Sequence, residues 1–153
     1  GIYYDVVKDS TVHVHAGEER MVTFIKRSSL MDNVEVILID LAGLTLQKHA
    51  SLFIDWMLTT SDDNEGQTSV GTTIIAIREV GGVPTHNFLT SLTSITENVG
   101  SQTLTWDVNT GADTATIIAK PNSSLSTGVV QSELSFSVRS LNTGIAMSIY
   151  ADP

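Results

Sequence analysis

The sequence predicts an all-β fold, an antiparallel jelly-roll-like β-sandwich with little helix. Apolar and polar residues alternate with a period of two in many short segments, as in strands that bury one face. Turn-forming residues separate these segments roughly every ten residues. Ser and Thr supply 36 of the 153 residues, and β-branched Thr suits strands and polar sheet faces. Many short strands with regular turns are typical of a sandwich or a barrel.

Each predicted strand rests on its own alternation. Residues 34–41 are apolar on both faces apart from Glu35 and Asp40, which predicts a central strand. Residues 44–57 also show approximate helical spacing, but we prefer a strand over residues 52–58. Turn signals such as Asp62-Asp63-Asn64-Glu65-Gly66 lie between strands. The predicted strands are residues 11–16, 21–26, 34–41, 52–58, 72–77, 104–108, 133–139 and 145–150.

The chain length indicates one domain, and the charge and cysteine content restrict the partners it can bind. A length of 153 residues fits a single β-sandwich domain, residues 1–153, and Gly1 in place of an initiator Met suggests a fragment of a larger chain. Eight Lys and Arg against 17 Asp and Glu give a net charge of −9. That balance argues against nucleic acid and anionic membrane surfaces, which need clustered cations. The absence of cysteine excludes disulfides and thiolate metal sites.

The spacing of polar residues offers two candidate metal sites and no catalytic motif. His13 and His15 project side by side on a strand and could bind zinc or copper, although the sequence names no third ligand. Asp62, Asp63, Asn64 and Glu65 supply oxygen donors in a tight loop, without the ligand spacing of an EF-hand. No nucleophile elbow, phosphate loop or His-Glu-x-x-His motif occurs. We therefore expect no enzymatic activity, no cofactor and no metal requirement.

Aromatic residues are the candidates for carbohydrate contact. Trp56 and Trp106 lie on the apolar faces of their segments, so we predict that both are buried rather than stacked on a sugar. Tyr3 and Tyr4 lie near a terminus and are better placed for surface contacts. The sequence therefore predicts carbohydrate binding, if any, at Tyr3 and Tyr4.

The second half of the chain resembles a known family. Residues 103–124, TLTWDVNTGADTATIIAKPNSS, resemble a hairpin of the C-terminal β-sandwich domains of phage tailspikes and tail fibres. Residues 134–150 are similar to the closing strands of those domains, and the resemblance covers residues 66–153. It implies a virion or extracellular protein that forms trimers and sometimes binds cell-surface polysaccharide. It implies no catalytic residue.

Apolar residues on both faces of a strand predict an oligomer. Ile37, Ile39, Ile75 and Ile77 lie in such strands, and a two-layer sandwich has only one interior. We predict that a second copy covers the other face, most simply in a homotrimer. The competing explanation is that a loop over residues 85–96 folds back as the cover. A viral capsid or coat jelly-roll subunit, or a carbohydrate-binding module of an extracellular enzyme, remains the alternative function.

Overall fold

The computed structural model describes the backbone of residues 6–7, 11–14, 20–30, 32–96, 101–140 and 145–149, and the side chains of residues 32–88, 101–140 and 145–149. Strands dominate these ranges, and no helix within them is long and apolar enough to cross a membrane. The elements are β1 (Val6–Val7), β2 (Thr11–Val14), β3 (Arg20–Leu30), β4 (Val36–Ala42), α1 (Leu44–Gln47), β5 (His49–Ser61), β6 (Gly66–Val80), β7 (Val83–Thr96), β8 (Gln102–Thr110), β9 (Thr114–Ser123), β10 (Gln131–Ser140) and β11 (Ala146–Ile149).

The strands form two sheets, which confirms the predicted antiparallel sandwich. One sheet has the order β1-β11-β4-β9-β8 and the other has the order β2-β3-β10-β5-β6-β7. Pairing is antiparallel except between β1 and β11. β3 and β10 pair in the six-stranded sheet, and β4 and β9 pair in the five-stranded sheet. Along the chain, β3 is followed by β4, and β9 is followed by β10. A two-stranded ribbon therefore passes from one sheet to the other, as expected for a jelly-roll-like connection.

One predicted segment, the covering loop, differs from the structure, and the preferred strand over residues 52–58 is confirmed. Residues 85–96 are not a covering loop, because they belong to β7, which pairs with β6 in register from Val83↔Val80 to Thr96↔Gln67. The Thr and Ser residues of this segment suit a strand as well as a loop. Pairing with β6 gives the backbone N–H and C=O groups of the segment their hydrogen-bond partners. Helical structure in the 44–57 segment is confined to α1, and the preferred strand over residues 52–58 lies within β5.

The hydrophobic core lies between the two sheets. In β5, every second residue from Ala50 to Thr60 is buried, as the period-two pattern predicts. Ile54 of β5 and Phe136 of β10 belong to the same cluster as Leu38 of β4 and Ile117 of β9. Both sheets thus contribute one face to a shared interior, and this burial is the main stabilising term of the fold.

Buried polar side chains close the interior near the β5–β6 turn. Gln102 donates from Nε2 to Thr60 Oγ1 at 2.6 Å and accepts at Oε1 from Ser69 Oγ at 2.7 Å. Thr60 Oγ1 also lies 2.8 Å from Ser132 Oγ. All four residues are buried. Because the network joins β8 of one sheet to β5, β6 and β10 of the other, it links the two layers at a fixed register.

The turn between β5 and β6 is held by the carboxylate of Asp62. Its Oδ1 accepts from the backbone N–H of Asn64 at 2.8 Å and of Glu65 at 2.7 Å. Its Oδ2 accepts from the N–H of Thr127 at 2.9 Å, which ties the turn to the loop before β10. The N–H of Thr127, followed by that of Asn64, lowers the pKa of Asp62 below its ordinary value of 3.8.

Acid is therefore expected to weaken the fold through Asp62. A carboxyl whose pKa is lower in the folded chain contributes stability above 3.8, and this contribution is lost as the pH falls through the folded-state pKa. Melting temperatures measured from about pH 6 to about pH 3 should fall. Asp62→Asn should melt lower than wild type at the neutral end and lose less on acidification. Equal acid sensitivity in the two proteins would contradict the role of this carboxylate.

Candidate functional site

The candidate site is the outer face of the six-stranded sheet, which points away from the core. Within it, Phe53 of β5 lies opposite Ile74 of β6, and Met57 lies opposite Val70. We call these four residues the apolar rows. Phe53, Val70 and Ile74 are half-buried, and Met57 is 46% exposed. The rows place apolar surface on the side of the sheet that the sandwich interior does not cover.

Polar contacts flank the apolar rows and fix their geometry. Between them, Thr72 Oγ1 donates to Asp55 Oδ1 at 2.9 Å. The guanidinium of Arg139, on the neighbouring strand β10, lies 4.6 Å from the centroid of the Phe53 ring. Such stacking is favourable because the ring face is electronegative. The outer face is therefore an ordered mixture of apolar, charged and hydroxyl groups.

A cleft of about 800 Å³ lies at the end of this face, near the β6–β7 turn. We call it the hairpin cleft. His49 of β5 and Arg78 of β6 are directly opposite each other, and Arg78 is opposite Thr85 of β7. In the next row, the small residues Ser51 and Ala76 are paired, so the surface is low between the long side chains of the first row and the Phe53 ring. The lining residues are Lys48, His49, Ala50, Ser51, Ala76, Ile77, Arg78, Glu79, Val80, Gly81, Thr85 and Asn87.

The one carboxylate lining the hairpin cleft is held by its neighbours. Glu79 Oε2 accepts from Lys48 Nζ at 2.9 Å, and Oε1 accepts from the backbone N–H of Gly82 at 2.6 Å. The hydrogen bond from Lys48 and then that from Gly82 lower the pKa of Glu79, so it remains ionised and paired with Lys48. Besides Lys48, the described residues that line the cleft include one further permanently charged cation, Arg78.

The structure places three of the four predicted interface residues in the interior. Ile39, Ile75 and Ile77 are at most 1% exposed, because the opposite sheet of the same chain covers them. Ile37 is 48% exposed and is the member of this set with surface to offer to another chain. A charged residue at Ile75 would therefore disrupt the core rather than separate subunits.

The two tryptophans lie side by side, with ring centroids 6.4 Å apart. Trp56 is 4% exposed, as predicted, and its Nε1–H donates to Thr73 Oγ1 at 3.1 Å. Trp106 is half-buried and packs against the core, so its burial is less complete than predicted. Neither ring forms an open platform for a sugar.

Most of the remaining predicted site residues lie outside the part of the chain whose side chains are described. Tyr3, Tyr4 and His15 lie outside the described residues, and only the backbone of His13 is described, in β2. Among the described side chains, no group of three or more His, Asp or Glu could hold a metal ion. In the turn, both carboxylate oxygens of Asp62 accept backbone hydrogen bonds.

Sequence reasoning missed the hairpin cleft. Lys48 and His49 are adjacent in the sequence, but Arg78 comes about thirty residues later, so the cluster becomes visible only through strand pairing. The pairing follows from the turn: His49 and Arg78 are equally distant from the closing pair Ser61↔Gly66. The signal for this pairing was the turn sequence, from which both strands can be extended by equal lengths. Alternation alone predicted strands that were too short to reach His49 and Arg78.

Comparison with known proteins gives one weak similarity. No family model matches the sequence, and no curated protein matches it. Among solved structures, the tailspike protein of Acinetobacter baumannii phage AM24 is similar, with a TM-score of 0.44 and 10% sequence identity. The match covers 85% of this chain and 28% of that chain, so this chain spans well under two thirds of its neighbour. The similarity is one of fold only.

Proposed function

We propose that the chain is a non-enzymatic structural module of a phage tail particle, a tail-fibre or tailspike domain that works as a homotrimer in the virion. Residues 103–124 and 134–150 resemble the closing domains of such proteins, and this resemblance supports the assignment to a phage tail particle. The apolar rows on the outer face of the six-stranded sheet support the assembly, and they are the observation that carries the proposal.

The apolar rows favour a second copy of the chain as their cover. The loop predicted to fold back over this surface is instead strand β7, which extends the same sheet. Phe53 lies opposite Ile74 and Met57 lies opposite Val70, so the face presents two paired apolar areas with the polar pair Asp55 and Thr72 between them. Clustered apolar surface of this kind commonly marks an interface. Closed rotational symmetry would bury it in every subunit at once.

Static light scattering tests the assembly. At micromolar concentration we expect about three times the 16.4 kDa mass of one chain. Met57→Lys should shift the mass towards one chain, because the charge would be desolvated at the interface. Thr103→Lys, an exposed position in β8 of the other sheet, is the control and should leave the mass unchanged.

The same measurement separates the alternatives. A monomeric wild type would contradict the homotrimer and favour a carbohydrate-binding module. Large closed shells would favour a capsid subunit. Dissociation by Thr103→Lys with no effect of Met57→Lys would place the interface on the five-stranded sheet instead, a sheet on which Ile37 is also exposed.

A further inference from the structure

We propose that residues 126–130 form a strap that opens as a unit while the two sheets stay folded, and that Asp62 and Asp63 are its latch, which acid releases. The strap is part of the segment between β9, which ends at Ser123, and β10, which begins at Gln131. This conformational device goes beyond the assembly proposed above and does not depend on it.

The chain is fixed on both sides of the strap. Before it, Leu125 is 7% exposed, and the N–H of Ser124 donates to the carbonyl oxygen of Ser101 at 2.9 Å. After it, Gln131 is paired with β5 as the first residue of β10. Between these anchors, residues 126–129 are exposed, and no strap residue belongs to the buried core cluster. The strap can therefore leave the surface without opening the hydrophobic core.

Asp62 and Asp63 hold the middle of the strap. Asp62 Oδ2 accepts from the N–H of Thr127 at 2.9 Å, and the N–H of Asp63 donates to the carbonyl oxygen of Thr127 at 3.0 Å. Both backbone groups of one strap residue are thus bonded to the β5–β6 turn. A proton on the Asp62 carboxylate would reduce its capacity to accept these bonds, because a protonated carboxyl is partly a donor. Protonation of Asp62 therefore weakens the latch.

Gly128 brings the strap into close contact with the latch. Its φ of +68° lies in the left-handed region, and a Cβ atom at this position would overlap the carboxylate of Asp63. Glycine therefore suits both the backbone conformation and the close approach. Gly81, in the β6–β7 turn, has a similar φ of +62° but open space at the position of a Cβ atom. The two glycines thus distinguish backbone strain from loss of the contact with the latch.

The charges around the latch are mostly acidic. Residues 121–132, 56–61 and 66–77 contain no Asp, Glu, Lys or Arg, so neither the strap nor the adjoining parts of β5 and β6 add a charge. The charged residues on the neighbouring elements are Asp63 and Glu65 of the turn, Asp32, whose Oδ1 accepts from the N–H of Ser123 at 2.8 Å, Lys120 of β9 and Glu133 of β10.

The direction of the pH response follows from the hydrogen bonds of Asp62. The N–H of Thr127 is the largest cause that lowers the pKa of Asp62 below 3.8. A carboxyl with a lowered pKa in the closed form stabilises that form above 3.8, and this contribution is lost as the pH falls through the lowered pKa. The strap is therefore closed at neutral pH and opens in acid.

Amide hydrogen exchange, followed by NMR from about pH 6 to about pH 2.5, tests the strap. We expect the protection of the Thr127 amide, corrected for the intrinsic exchange rate, to fall by at least on the order of tenfold in acid, while Ile54 in β5 stays protected. Asp62→Asn should lower the protection of Thr127 at neutral pH and remove most of its pH dependence. Glu65→Gln, which removes a charge from the same turn, should behave as wild type.

Gly128→Ala tests the latch without acid. It should lower the protection of Thr127 at neutral pH, whereas Gly81→Ala, which introduces similar backbone strain, should leave it unchanged. Equal effects of these two variants on Thr127, or equal pH dependence in Asp62→Asn and wild type, would overturn the proposal. So would loss of protection at Thr127 and Ile54 together, because the whole domain would then unfold instead of the strap. Near-UV circular dichroism of the tryptophans reports at each pH whether the sandwich is folded.

Discussion

Replacing Trp56 with alanine is expected to lower the free energy of unfolding by about 3–5 kcal/mol. The ring is 4% exposed and belongs to the shared core of both sheets. Its loss would leave a cavity that the surrounding strands can fill only in part, and it would remove the hydrogen bond from Nε1 to Thr73 Oγ1. Urea unfolding followed by circular dichroism measures the change.

Trp106 provides the matched control for this measurement. It contacts Trp56 but is only partly buried, so Trp106→Ala should cost clearly less than Trp56→Ala. Its Nε1 is buried and has no hydrogen-bond partner among the described residues. Trp106→Phe should therefore be close to neutral, because it removes a desolvated donor while keeping most of the ring. A loss below about 1 kcal/mol for Trp56→Ala would contradict the buried position of that ring.

The sequence was sufficient to predict the fold class because alternation reports directly on burial. In β5 and β10, the residues predicted to share a face are buried together, including Ile54, Trp56 and Phe136. Strand β7 was missed as a strand, since its many Thr and Ser residues also suit a loop. Only its backbone pairing with β6 distinguishes the two interpretations.

For a strand that is apolar on both sides, alternation does not predict which of the two faces is buried. Ile75 and Ile74 are adjacent and chemically identical, yet Ile75 is fully buried while Ile74 faces outward. A shift of one residue in register exchanges the two faces, and nothing local to residues 72–77 fixes that choice. The sequence therefore predicts an interface at Ile75 and Ile77, whereas the exposed apolar surface of the six-stranded sheet lies on the alternate residues. The hairpin cleft depends on register for the same reason.

Gln102→Leu is expected to destabilise the domain by about 1–3 kcal/mol, because it removes two buried hydrogen bonds. Leucine keeps much of the volume, but Ser69 Oγ loses its acceptor and Thr60 Oγ1 loses the donor from Nε2. Thr60 retains its contact with Ser132 Oγ, so the loss should be smaller than removal of the whole network. Thermal and urea unfolding measure the change, with the exposed neighbour Thr103→Ala as the control.

A second variant distinguishes hydrogen bonding from packing in this network. The combined change Gln102→Leu and Ser69→Ala removes the hydroxyl that donates to Gln102 as well as the amide, and it should recover part of the stability lost by Gln102→Leu alone. Simple addition of the two single losses would mean that the side chains contribute by packing alone. Recovery in the double variant would show that satisfied polar groups join the two sheets at this end of the sandwich, because an unpaired buried group costs more than a missing pair.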